Sequence, residues 1–356
     1  VTPRVVHLAS GREWRGGQRQ VWLLARALER LGIAQVVVTG ARGELARRLR
    51  QDGVRVHPVR WSAGLDPRVL PGLLAELRAG PSLLHAHDAH AVTLGGLGAW
   101  LARRPLVATR RVDFHLRRRG LWSRAARVIA ISRAVADVLV SDGILPDRIA
   151  VVHSGIALEE LRGTARLGIR DRLELERDTL VAANVAALVP HKDHATLLRS
   201  AALLAERWPA LHWVVAGEGP LRPALERLGI ELGLDGRVHF LGHLEEPARL
   251  IADANCFVMS SREEGLGTSV LEALALGIPV ASTTAGGLPE MLHGGAGLLV
   301  PPADPAALAE AVARILSEPG LAREMSSKGS MAVQDFTAER MAEAVRSVYR
   351  SLVSFP

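Results

Sequence analysis

The chain has 356 residues, 48% of them apolar and 23% charged, which suits a soluble globular protein with two separate cores. One cysteine, Cys256, excludes an internal disulfide; no apolar run reaches the ~18 residues of a membrane span, and no secretory pattern opens the sequence, so a reducing, cytoplasmic setting is expected. The net charge of +7 is uneven: residues 1–160 hold 25 Lys and Arg against 13 Asp and Glu, and the remainder 19 against 24.

Short β-rich runs alternate with amphipathic helical stretches from the start. The N-terminus from Val1 reads as a strand, with Val5 to Leu8 its apolar run; a turn holding Gly16 and Gly17 leads to a helix from about Gln18 to Leu31. Val36 to Thr39 is a strand, Leu45 to Gln51 a helix, and Val54 to Pro58 another strand. Leu83 to His85, Leu106 to Thr109, Val128 to Ile131 and Ala150 to Val152 continue the strands. Leu158 to Asp178, charged and turn-prone, reads as a linker. The alternation restarts at Leu180 to Asn184, followed by Trp213 to Ala216, Val238 to Leu241, Cys256 to Met259, Val280 to Ser282 and Leu298 to Val300. Strands alternating with helices imply parallel sheets covered on both faces, with ligands at the strands' C-terminal ends. The fold class is therefore α/β, with two doubly wound, Rossmann-like domains.

The most informative segment runs from Ser261 to Ala273. A Gly-spaced turn, Glu264-Gly265-Leu266-Gly267-Thr268, enters a helix that carries a second carboxylate, Glu272. Free N–H groups at a helix start seat a phosphate, and nearby carboxylates accept hydrogen bonds from sugar hydroxyls. The same letters also allow a structural reading, with Ser269-x-x-Glu272 as a capping box and Glu264 as a solvated loop carboxylate. Lys192, one of only two lysines, follows a strand and precedes a helix, which suits a compact charge for a diphosphate or an ordinary surface position. Gly16 and Gly17 allow close approach of backbone to phosphate or sugar, or simply a tight turn. His85, His87, Asp88 and His90 resemble a metal cluster, but their order favours lining of a cleft, with one of His85 and His87 facing the cleft and the other the sheet; no D-x-D is present. Arg110, Arg111, Arg117, Arg118, Arg119, Arg124 and Arg127 form a basic cluster suited to an anionic membrane or a phosphorylated acceptor, or to a solvated face. One tyrosine and little aromatic interleaving argue against nucleic acid.

Glu264-Gly265-Leu266-Gly267, Leu271-Glu272-Ala273 and Gly277-Ile278-Pro279-Val280 together resemble the E-x7-E signature of retaining glycosyltransferase family 4. Gly16-Gly17-Gln18, Leu84-His85-Ala86-His87, Leu188-Val189-Pro190-His191-Lys192, Gly217-Glu218-Gly219, Leu241-Gly242 and Gly286-Gly287-Leu288-Pro289-Glu290 follow that family's order along nearly the whole chain. The resemblance implies a GT-B fold: an acceptor-binding domain over 1–162 facing a nucleotide-sugar-binding domain over 163–337 across a cleft, and a last helix, 338–356, crossing back to the first domain. It also implies roles. Lys192 binds the donor diphosphate, Glu264 touches the transferred sugar and Glu272 holds the ribose. Gly16, Gly17, Gly217, Gly242, Gly265, Leu266, Gly267 and Thr268 border the donor. The family's usual arginine is replaced by Ala187, for which Arg262 or a first-domain arginine is the candidate substitute. Where the family often has a histidine near the reacting sugar, this chain has Arg111 or Asp113, with His115 just beyond; His85, His87 and His115 face the acceptor.

A retaining, metal-independent transferase follows, with no cofactor beyond a nucleotide-diphosphate-sugar co-substrate. The expected acceptor is a cell-envelope glycan or glycolipid such as lipopolysaccharide, reached at the inner face of an anionic membrane. Two rivals stand beside it: a GT-B-like sugar-nucleotide epimerase, and a catalytically idle binding protein on anionic membranes.

Overall fold

The computed structural model describes residues 3–11, 13–62, 64–116 and 119–354. Val1 and Thr2 of the expected first strand, and Arg117 and Arg118 of the basic cluster, lie outside the described residues. The chain divides into two compact units: one runs through Ile156 and is rejoined from Phe336 onward, and the other is Ala157–Asp335. The sequence places these divisions after 162 and 337. The stretch 158–178, expected as a linker, belongs to the second unit. Helix Leu158–Arg162 buries Leu158 and Leu161 and packs on helix Thr268–Ala275, while the backbone N–H of fully buried Ile169 donates to Asp253 at 3.0 Å.

The first unit is built on seven parallel strands: β1 (Arg4–Ala9), β2 (Gln35–Gly40), β3 (Val56–Val59), β4 (Ser82–Ala86), β5 (Leu106–Arg110), β6 (Arg127–Ala130) and β7 (Ile149–Val151). Their order is β3-β2-β1-β4-β5-β6-β7, so the sheet grows one way from β1 and then the other from β4. Loops leaving β1 and β4 therefore diverge to opposite faces, which opens a crevice at their C-terminal ends. The helix after β1 begins at Gly16, two residues before the expected Gln18, and runs to Arg30, burying Val21, Leu24, Ala25 and Leu28 at helical spacing.

The last helix, Ala338–Arg350, lies on this same unit against helix Gly16–Arg30. It buries Met341, Ala342, Val345, Val348 and Tyr349; the larger apolar side chains contribute about 1.5–3 kcal/mol each before conformational entropy is counted. Its entry is fixed at Gly155, where an added Cβ would lie 2.6 Å from the Thr337 carbonyl. Gln20 clamps that glycine twice, donating to its carbonyl at 2.8 Å and accepting from its N–H at 3.1 Å.

The second unit holds six parallel strands: β8 (Leu180–Val185), β9 (Leu211–Ala216), β10 (Val238–Gly242), β11 (Cys256–Met259), β12 (Val280–Thr283) and β13 (Leu298–Val300), ordered β10-β9-β8-β11-β12-β13. Its reversal falls between β8 and β11. Leu197, Ala201 and Leu204 of helix His194–Leu204 meet Leu308 and Val312 of helix Pro305–Ser317 in one core. Cys256 is fully buried there, and burial pushes its thiol up to about 12, which makes it a packing residue. No helix among the described residues is long and apolar enough to cross a membrane.

Candidate functional site

In the second unit the loops after β8 and β11 meet at the sheet's switch point. After β8, Pro190–Lys192 forms one tight turn, and Asp193, in the left-handed region at φ 47°, caps helix His194–Leu204 by accepting from the Thr196 N–H at 3.4 Å, and also accepts from the Thr196 hydroxyl at 2.7 Å. After β11, the Ser260 hydroxyl donates to the Lys192 carbonyl at 2.9 Å, and the Arg262 N–H to the His191 carbonyl at 2.8 Å. The two loops are thus stitched through the His191 and Lys192 carbonyls. Their side chains then pair: Lys192 Nζ with Glu264 Oε2, and Arg262 Nε with Asp193 Oδ2 at 2.6 Å. Arg262, the candidate substitute for the arginine missing at Ala187, stands beside Lys192 through Asp193. Asp193 itself is a site residue that the sequence reading missed; an Asp directly before an apolar helical run was the available signal.

Helix Thr268–Ala275 starts from Gly267, whose φ of 92° is left-handed, with no side-chain cap. Ser269 is therefore inside the helix, and the capping-box reading of Ser269 and Glu272 does not hold. Glu272 is 2% exposed and Glu264 9%, so Glu264 is not a solvated loop carboxylate either. The Glu264 carbonyl accepts from the Gly287 N–H at 3.0 Å, which draws the Gly286-Gly287 loop onto the same site. Pro289 is the second residue of helix Leu288–Leu292. Gly265, Leu266 and Thr268 complete the turn, with Leu266 1% exposed beneath it.

Gly217 shows why glycine ends β9. Its φ is 149°, and a Cβ there would lie 1.9 Å from the Ala186 carbonyl oxygen. Its N–H donates to the Gly242 carbonyl at 2.8 Å, so the ends of β8, β9 and β10 are drawn together beside Ala187.

The first unit gathers a second set. His7 pairs in register with His85 across β1 and β4, so both project from the same sheet face. His87 follows two residues later on that face, and His7, His85 and His87 are all buried, with His85 and His87 ring centroids 4.0 Å apart. The expectation that His85 and His87 face opposite ways fails, because the strand period is two. His85 Nε2 meets Thr109 Oγ1 at 2.6 Å and Nδ1 meets the Tyr349 hydroxyl at 2.6 Å; His7 Nδ1 meets His87 Nε2 at 2.9 Å. The ring nitrogens of His7, His85 and His87 lie within metal-ligand reach of one another, but those of His85 are engaged with hydroxyls. Burial lowers all three histidines, His7 to about 3. Sequence reading missed His7 and Tyr349, since both depend on strand register and on where the last helix lands.

Beside the cluster is a cavity of about 230 Å³ lined by Gly17, His87, Asp88, Thr109, Arg110 and Arg111, among others. Gly17 opens helix Gly16–Arg30 at its wall, and a Cβ there would lie 3.9 Å from Arg111 Cδ. Asp113 and His115 do not line this cavity. His115, three-quarters exposed, meets Asp142 Oδ1 at 2.8 Å, so the structure does not bring it together with His85 and His87.

Two doubly wound parallel sheets, the second with acidic, lysine and glycine-bearing loops at its switch point, define a two-domain, Rossmann-like class of α/β protein. Residues 166–331 match the model for glycosyl transferases group 1, and residues 14–160 that for glycosyltransferase family 4. The chain belongs to these family 4, group 1 glycosyltransferases. It is 32% identical over 239 residues to a D-inositol 3-phosphate glycosyltransferase of Streptomyces bingchenggensis, covering 63% of this chain and 52% of that protein. It is 32% identical over 201 residues to the lipopolysaccharide core biosynthesis glycosyltransferase LpsE of Rhizobium meliloti, covering 55% and 57%. The chain spans about half the length of the curated relatives it matches. Anabaena HepE, solved in complex with UDP and glucose, matches with a TM-score of 0.87 over 98% of this chain and 100% of that one, at 21% identity. That likeness establishes the GT-B fold.

Proposed function

We propose that the chain transfers a sugar, with retained configuration, from a nucleotide-diphosphate-sugar to a glycan or glycolipid acceptor. The observation that carries this reading is the meeting of Lys192 and Glu264 at the switch point of the second sheet, next to buried Glu272. Lys192, Arg262 and the N–H groups of the Gly265–Thr268 turn offer positive charge for a diphosphate, and Glu272 offers oxygens for ribose hydroxyls. Glu264 holds Lys192 and stands where the transferred sugar would follow. Two carboxylates on one turn and its helix do not flank a bond from opposite sides, so no protein nucleophile is assigned. The leaving diphosphate takes the acceptor's proton, and the protein contributes positioning and stabilisation of charge. No metal or cofactor enters this scheme.

UDP is the first donor base to test, because HepE was solved with it, and lipopolysaccharide-type acceptors are suggested by the name of LpsE. A cytoplasmic, membrane-facing setting accords with one further observation. Leu97, Trp100 and Leu101 are 44%, 73% and 42% exposed at i, i+3, i+4 spacing on helix Ala89–Ala102, directly before Arg103 and Arg104. Thermal shifts with UDP, GDP, ADP and CMP test the donor site. One diphosphate should stabilise the wild type and not Glu272→Ala; absence of any shift would defeat a preformed donor site.

A further inference from the structure

We infer that the cavity of the first unit is a subsite for a phosphate or carboxylate group carried by the acceptor, with Arg111 as its principal ligand. Four observations point there. Arg111 makes no hydrogen bond or ion pair among the described residues, and its Nε is buried without a partner. Arg110, on the same wall, gives one N–H to the Phe114 carbonyl and leaves its own buried Nε unpartnered. His87 is 3% exposed, lines the cavity and has an unpartnered Nδ1. Helix Gly16–Arg30, 15 residues long, begins at the same wall with no acidic residue in its first turn.

A half-buried guanidinium with its Nε buried and unpartnered is expensive, and placing it at the positive end of a helix adds to that cost. The one carboxylate lining the cavity offsets it only in part, through space and without a hydrogen bond to Arg111. Asp88 is already engaged: Oδ2 accepts from the Ser10 N–H at 2.7 Å, and Oδ1 from the Ser10 hydroxyl at 2.6 Å and the Ala91 N–H at 2.9 Å. Burial lowers Arg111 to about 10, which still leaves it charged at neutral pH. Two guanidinium forks and a helix start around an otherwise satisfied Asp88 leave a net positive seat that an anion would complete. At about 230 Å³ the cavity is smaller than the ~300–1,000 Å³ of whole-ligand pockets, which suits one charged group rather than a nucleotide-sugar.

Assignment of the anion to the acceptor rests on the transferase reading; the anion site itself does not. The shared chemistry, phosphate, has two sources, the acceptor and the donor diphosphate, and the experiment separates them. The whole chain is titrated with inorganic phosphate while the arginine Nε–Hε resonances are followed by NMR, alone and with saturating UDP. The Arg111 resonance should shift with phosphate and should shift equally when UDP is bound. Displacement of phosphate by UDP would overturn the acceptor assignment, and no shift at Arg111 would overturn the site. Arg111→Gln should weaken phosphate at least tenfold, with Arg111→Lys between it and wild type; equal phosphate affinity in all three would also overturn the site. In Glu272→Ala, loss of UDP binding with phosphate still held at Arg111 keeps the two sites separate. If UDP binds no form of the chain, the donor reading fails while the phosphate result stands.

Discussion

Lys192 and Glu264, 72 residues apart in sequence, neutralise each other at the switch point of the second sheet. On the proposed reading, a cation that would meet a diphosphate is held by a carboxylate until the ligand competes for it. Opposite effects follow from removing the two partners. Lys192→Ala should weaken nucleoside diphosphate binding about tenfold to a hundredfold, the range of one charge-assisted hydrogen bond. Glu264→Gln should leave that affinity unchanged or tighter, because Lys192 is freed, while turnover falls. Calorimetric titration with UDP checks both; equal weakening in the two variants would show that the pair acts only as a structural tie.

The closeness of Gly217 to Ala186 gives a stability test. Gly217→Ala would put a Cβ inside the Ala186 carbonyl and hold a non-glycine residue at φ 149°. The loops after β8 and β9 would have to separate, at a cost of about 3 kcal/mol or more. Urea unfolding of the variant should show this, and loss of diphosphate affinity should accompany it. Gly16→Ala, where an added Cβ meets nothing within 4 Å, is the control and should change stability by less than about 1 kcal/mol.

The sequence made the two sheets legible because their strands are buried on both faces and read as near-continuous apolar runs, such as Val36-Val37-Val38 and Trp213-Val214-Val215. Glu264 and Glu272 could be nominated from a glycine-spaced turn between strand and helix, and Lys192 as one of only two lysines, after a strand and before a helix; the structure brings Lys192 and Glu264 together. Residues that act through long-range register were not. His7 meets His85 only once β1 pairs with β4, and Tyr349 reaches them only because the last helix returns to the first unit. Arg111 could be nominated from its place after a strand, but its lack of partners depends on Asp88 being engaged elsewhere. The first-domain boundary fell late because Leu158 and Leu161 look like any short amphipathic turn until their packing partner is known.

Tyr349 ties the returning helix to the histidine cluster through one hydroxyl. Tyr349→Phe keeps the ring volume and leaves His85 Nδ1 buried without a partner, which costs about 1–3 kcal/mol. Tyr349→Ala also opens a cavity and should cost about 3–5 kcal/mol. Urea unfolding checks the order. If Tyr349→Phe is as stable as wild type, the hydroxyl contributes no net stability and the helix is held by packing alone.

The histidine cluster also sets an acid limit on stability. Burial holds His7 down to about 3 and His85 and His87 well below the ordinary value, with the Arg111 charge adding to the effect on His85 and His87. His194 in the second unit is lowered to about 4, again by burial first and then by Lys192. All four are therefore neutral in the folded chain near pH 7, while in the unfolded chain histidine takes up a proton near pH ~6.5. As pH falls below that value the unfolded state binds more protons, so stability is whole above about 6.5 and is lost toward the folded values. Each histidine adds a slope of about 1.4 kcal/mol per pH unit in that window. Lowered carboxylates such as Glu44, held at about 2 by Arg47, act only below about pH 4.5 and do not account for a loss at pH 5–6. Unfolding in urea at pH 7, 6 and 5 should show a falling free energy worth two or more protons per unit, and histidine NMR should show the three clustered rings still neutral at pH 5. A flat profile between pH 7 and 5, or protonation of these rings near 6.5, would mean that the cluster is open to water.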